Sequence, residues 1–201
     1  MAKINLEESF RVPLELLGKV PVILVPIGMT SVFILVLTLS MRGVFVRWEI
    51  FVMSLIRFAV ILFDMAWVTL LLEQYFRGEK ANLQETWVKL SQKLGKVMIA
   101  VILVTVIVSL GFSFYIVPGI ILAALFMITV PQVVVEKTTF DKSMAFMSRF
   151  VFRDKNFLPL LLYVFIAFLL GLIPTVGLLL NAFFLMLFFP HLYLRYGREE
   201  S

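Results

Sequence analysis

Arg57 and Asp64 are the two charged residues that fall deep inside the long apolar stretches of this 201-residue chain. Each costs about 2.5–3.5 kcal/mol at the centre of a membrane-spanning helix, so ionisable groups there are candidates for a substrate or ion pathway by default. Seven residues of helix put both on one face, about 10.5 Å apart along the axis. An Arg side chain leans toward the helix N-terminus, here away from Asp64, so each charge is expected to find its partners on neighbouring helices. At 1.5 Å per residue, Asp64 lies near mid-membrane with Ser31, Ser109 and Thr129, and Arg57 in the outer half near Asn181 and Ser113. Asp64, Arg57 and Asn181 are therefore the candidate substrate or ion site. The competing reading makes the charges interhelical pins. Such bonds contribute only about 0.6–2 kcal/mol in membranes, which hardly offsets insertion. Arg57 also has the reach to snorkel outward.

Other chemistry is thinly represented. With one histidine, no cysteine and no carboxylate cluster, metal-ligand spacing cannot be built, and no cofactor is expected. The chain has no G-x-S-x-G elbow, P-loop or dinucleotide fingerprint, so a self-contained enzyme is not expected. His191 follows Pro190 at the end of the last apolar stretch, where histidine is usually just tolerated. Glu73 and Glu136 also sit at stretch ends and are expected to pair with nearby Lys and Arg. Pro131 is expected to kink its helix near Gln132.

The elements that must position these residues follow from composition. The chain is 62% hydrophobic and 15% charged, far from the roughly one-quarter charged of soluble domains. Six apolar stretches, at about 20–40, 49–75, 97–116, 118–136, 157–174 and 176–194, are long enough to cross a bilayer. The first is too long for a signal peptide and lacks a cleavage site, so it reads as a retained span. The reading is one all-α integral membrane domain over 1–201, a six-helix polytopic bundle. Fifteen Lys and Arg fall in the N-terminal segment, 76–96, 137–156 and the tail, against Arg42 and Arg47 on the other side. That asymmetry predicts a multi-pass cell-membrane protein with both termini cytoplasmic. The net charge of +5 is then topological, implying contact with anionic lipid headgroups and no nucleic-acid partner. Val117-Pro118-Gly119 and Ile173-Pro174-Thr175-Val176-Gly177 read as tight outer turns, Met41–Trp48 as a longer one. Trp48, Tyr75, Trp87, Tyr193 and Tyr196 read as an interfacial aromatic belt.

A repeat organises the whole. Residues 5–20 and 82–97 share seven identities in sixteen positions, including Asn5/Asn82, Glu8/Glu85 and Leu17-Gly18-Lys19-Val20/Leu94-Gly95-Lys96-Val97. A more diverged copy starts at Thr139. The three units, about 5–75, 82–136 and 139–194, each read as a capped amphipathic helix followed by an apolar hairpin. Asn5 and Asn82 are N-caps with an acid at N3; Thr139, or Thr138 with Asp141, serves in the third. The expected apolar stripes are Leu6, Phe10, Pro13 and Leu17; Leu83, Trp87, Leu90 and Leu94; and Phe140, Met144, Met147 and Val151. Pro13 is expected to shorten the first of these helices. They read either as connectors resting on the interface or as a basic cytoplasmic collar contacting lipid or a partner protein. The collar's candidates are Lys89, Lys93, Arg149, Arg153 and Trp87.

The segment from Pro118 to Phe157 resembles a family of multi-pass membrane proteins that includes the membrane domain of some glycerophosphodiester phosphodiesterases and small stand-alone relatives. The resembling residues are Pro118-Gly119-Ile120, Pro131 with Val133-Val134 and Glu136, Ser148, Asn156-Phe157, and Arg77-Gly78-Glu79. Family members carry an Ala-Leu pair before that Ser, where this chain has Ser143-Met144 one position out of register. The resemblance implies a helical membrane domain related to lipid, and carries no site residues across. For function, the expectation is a non-enzymatic membrane protein that contacts lipid or a partner through its basic face. A small transporter or channel-like protein using Asp64 and Arg57 is the alternative, and a lipid-modifying enzyme is disfavoured by the missing motifs.

Overall fold

The computed structural model describes residues 3–40, 47–136, 138–173 and 176–197, with backbone alone over 47–50. Expectations placed on the loop after Met41, the side chains of Arg47 and Trp48, Pro174, Thr175, Lys137, Arg42 and Arg198 lie outside the described residues. The described chain is helical and contains no strand. Its α-helices are α1 (Leu6–Lys19), α2 (Leu24–Ser40), α3 (Arg47–Phe76), α4 (Leu83–Gln92), α5 (Leu94–Phe114), α6 (Ile116–Phe126), α7 (Thr129–Glu136), α8 (Phe140–Ser148), α9 (Phe157–Gly171) and α10 (Val176–Leu192).

Five segments are long and apolar enough to cross a membrane: Pro21–Ser40, Phe51–Phe76, Leu94–Phe114, Ile116–Glu136 and Val176–Gly197. The sixth expected span is α9, which has only 15 residues, about 22 Å at 1.5 Å per residue. It joins α8 and the π-helical turn Arg149–Arg153 through a 102° bend, and the two arms count as a sixth span only together. Lys155 makes that bend with a left-handed φ of 56°.

The bundle is built around α3 and α10. Helix α3 packs against α2, α4, α5, α7 and α10, and α10 against α1, α2, α3 and α9. From Ile61 to Gln74 α3 is buried at nearly every position, as is α10 from Phe184 to Leu194. Helices apolar on all sides can be sheathed in this way. Outer helices expose apolar side chains such as Val32, Ile99, Ile102, Leu158 and Leu169, the surface a hydrocarbon solvent tolerates.

Three local expectations are corrected. The chain turns between α5 and α6 at Tyr115, and Pro118 and Gly119 fall in the first turn of α6, where a missing N–H is harmless. Gly119 serves close approach: a Cβ there would lie 2.4 Å from the Phe112 ring, and one on Gly111 would lie 2.9 Å from Gly119 Cα. The break caused by Pro131 comes a turn earlier than Gln132, at Met127-Ile128, because the ring clashes with the carbonyl four residues before it. Helix α1 runs straight through Pro13 and is, at 14 residues, longer than α4 or α8.

The caps form as expected on two helices. Asn5 Oδ1 accepts from Glu7 N, and Asn82 Oδ1 accepts from Gln84 N and Glu85 N. Thr139 occupies the cap position of α8 without a side-chain bond. The buried faces include Pro13, Leu90, Met147 and Val151 of the expected stripes but are otherwise centred one position earlier. They run Ser9-Pro13-Leu16, Thr86-Leu90 and Ser143-Met147-Phe150, while Leu6, Trp87 and Leu94 are exposed. Each face begins with a fully buried hydroxyl that has a partner: Ser9 with Tyr163, Thr86 with the Trp67 indole, Ser143 with Thr138.

Candidate functional site

Where the N-terminal half of α3 meets the C-terminal ends of α5 and α9 and the start of α10, the helices do not close. They leave a cavity of about 580 Å³, within the ~300–1,000 Å³ typical of small-molecule sites. This end of the bundle is opposite the basic segments that carry Arg77, Lys89, Lys93, Arg149 and Arg153. Most of the wall is apolar, from Phe58, Ile61, Val108, Phe112, Val164, Ala167, Phe168 and Leu185. Five polar residues also line it: Ser54, Arg57, Ser109, Ser113 and Asn181.

Local sequence explains the opening. Small residues stand where bulk would fill the space, Ala123 on α6 and Ala167 and Gly171 on α9. Gly171 is also the seat of Asn181: a Cβ there would fall 2.7 Å from Asn181 Nδ2. Gly177 brings the start of α10 against α9, where a Cβ would meet Leu170 O at 2.0 Å. Gly111 and Gly119 draw α6 onto α5 beside Phe112, which stacks on Phe168 across the cavity wall at 6.2 Å.

The electrostatics of the cavity are one-sided. Arg57 reaches back toward the N-terminus of its own helix, and Nη2 donates to Ser54 Oγ at 3.4 Å, the direction side-chain geometry favours. Among the described residues no carboxylate pairs with it. Asn181 Oδ1 is buried without a hydrogen-bond partner. A guanidinium with spare donors and an amide with a spare acceptor thus face one apolar chamber.

Asp64 is not part of it. Its carboxylate accepts from the Thr30 hydroxyl of α2, and it is absent from the cavity wall. The structure therefore joins Arg57, Asn181 and Ser113, as their shared depth suggested, and separates Asp64 from them.

At the basic end the candidate residues divide. Lys89 Nζ pairs with Glu85 at 2.6 Å, and this bond and charge hold the Glu85 carboxyl below its ordinary range. Lys93 turns inward and donates to Val134 O at 2.6 Å, capping the C-terminal carbonyls of α7. Arg149 and Arg153 are exposed on either side of exposed Phe152. Trp87 is 46% exposed, with its ring 4.9 Å from Trp67. Glu73 pairs with Arg77 at 2.5 Å, as expected. Glu136 instead accepts from the Tyr193 hydroxyl and from Gln132 Nε2. Tyr193 and Tyr196 are core residues, not a belt, and His191 is buried between Phe76 and Tyr196 with neither ring nitrogen hydrogen-bonded. The three buried hydroxyls and the inward turn of Lys93 went unforeseen. The only signal in the sequence was the Ser/Thr match at one position of the repeat.

No family model, curated protein or solved structure matches the chain.

Proposed function

We propose that this is a non-enzymatic integral membrane protein that takes a lipid-like guest into the chamber between α3, α5, α6, α9 and α10. The single observation behind this reading is the Arg57 guanidinium, without a carboxylate partner among the described residues, in a chamber of about 580 Å³ whose wall is otherwise mostly apolar. Structural packing does not call for such a pairing of space and charge, whereas guest binding does. The transporter-like alternative survives in altered form, with Arg57 and Asn181 as its site and Asp64 as a packing residue. Both termini are cytoplasmic in this reading, which places the chamber in the outer half of the cell membrane. The three buried hydroxyls at equivalent positions of α1, α4 and α8 support a threefold repeat of helix plus hairpin. The resemblance to the family with phosphodiesterase-linked membrane domains fits a lipid-related role and adds no residue to it.

A second reading keeps a specific observation of its own. Arg149, Phe152 and Arg153 form an exposed basic-aromatic turn at the 102° bend, which suits contact with headgroups or a partner protein at the cytoplasmic face. Lys93 and Lys89 contribute less to that face, since both are engaged within the protein.

Native mass spectrometry of the full chain released from lipid nanodiscs tests the main reading. The expected spectrum shows a lipid-sized adduct that disappears in Ala167→Phe and in Ser109→Phe, each of which fills the chamber from a different helix. An adduct pattern unchanged in both folded variants would overturn it.

A further inference from the structure

Resting on the reading of the chamber as a guest site, we infer that its occupant is a single-chain amphiphile with an acidic headgroup held by Arg57. Three observations lead there. The first is charge. Arg57 is a cation inside the bundle without a carboxylate partner among the described residues, and its one hydrogen bond, to Ser54, is long at 3.4 Å. A guanidinium always carries its charge and presents five donors in a fork that matches an acid group. An anion placed here removes an uncompensated charge from a poorly hydrated site, and a neutral or cationic head leaves it or worsens it.

The second observation is the supporting polar set. Ser109 and Ser113 line the chamber from α5 and Asn181 lines it from α10; the buried, unsatisfied Asn181 Oδ1 is an acceptor that suits a hydroxyl on the head, and the acid group itself is held by Arg57. These groups line the same chamber as the guanidinium, so its polar wall is where a head would sit. Ile61, Ala123, Met127, Val164 and Leu185 continue away from it without a charge, which marks where a tail would lie. The third is size. At about 30 Å³ for each water-sized group, a chamber of about 580 Å³ holds on the order of twenty such groups. That matches one long-chain acid.

The test is binding of radiolabelled palmitate and of palmitamide, its neutral counterpart, to the purified full chain in a maltoside detergent. Palmitate is expected to bind about tenfold or more tightly than the amide. Arg57→Gln should abolish that preference, with circular dichroism and an unfolding midpoint at or above the parent's showing that the variant is folded. Arg57→Lys should restore part of the preference. Acetate should not compete, whereas competition by acetate would indicate a small-anion site and overturn the amphiphile. Equal binding of acid and amide in the parent, both lost in Ala167→Phe, would overturn the acidic headgroup and leave the guest-site reading standing. Binding of neither by the parent would overturn both.

Discussion

The two halves of α3 are both largely apolar and have opposite roles. Between Ile61 and Gln74 the helix is buried at nearly every position, and its carboxylates have partners, Asp64 accepting from Thr30 and Glu73 pairing with Arg77. Between Phe51 and Phe58 the same helix borders open space, and its charge, Arg57, has only a long bond to a serine on its own helix. A polar group in an apolar bundle is affordable where a neighbouring helix supplies its partner. Where none does, the site is left waiting for one. The comparison separates a charge that belongs to the fold from a charge that belongs to function.

That separation can be broken by mutation, beginning with packing. Leu71 is fully buried in the dense half, and Leu71→Ala should destabilise the protein by about 2–5 kcal/mol. Phe58 lies on the chamber wall, so Phe58→Ala merely widens existing space and should have a clearly smaller effect in the same denaturation series. Equal effects would mean that the chamber half is as tightly packed as the other. Next in size, Thr30→Val leaves the Asp64 carboxylate without its donor and should destabilise by about 1–3 kcal/mol, whereas Asp64→Asn keeps an acceptor for Thr30 and should leave palmitate binding unchanged. A loss of binding in Asp64→Asn would rejoin the two charges into one site. The smallest effect lies outside the bundle core. Glu85 is held below its ordinary range by Lys89, so the pair's contribution is present above the unfolded carboxylate pKa and fades as pH falls through the lower folded value. Both side chains are about half exposed, and acid titration followed by NMR should show the depressed Glu85 pKa with little change in unfolding midpoint.

Much of this contrast was legible in the sequence, and the part that was not has physical causes. Depth counting placed Arg57 with Asn181 and Ser113, because helical rise is nearly constant and the spans share a bilayer. It could not say which way each side chain turns about the bundle, so Asp64 was grouped with Arg57 when it faces Thr30 instead. The caps Asn5 and Asn82 were readable because capping is local. The inward faces of α1, α4 and α8 were read in part, with Pro13, Leu90, Met147 and Val151 buried as expected, but hydrophobicity favoured Leu6 and Trp87 where tertiary hydrogen bonds favoured Ser9 and Thr86. Proline was misread three times, the first at Pro13, which α1 accommodates without a break. Pro118 is harmless in a first turn, and Pro131 acts on the turn before it, so position within the helix matters more than presence. The chamber itself left no sequence signal beyond small residues at Ala123, Ala167 and Gly171, which elsewhere would mean close packing.

Thermal unfolding of Arg57→Gln beside Thr30→Val, in one detergent and without added ligand, tests the contrast most directly. Arg57→Gln should unfold at or above the temperature of the parent, because it removes a charge that the fold does not use. Thr30→Val should unfold below it. If Arg57→Gln instead loses as much stability as Thr30→Val, Arg57 is a structural pin like Asp64, and the division of α3 into a packed half and a binding half fails.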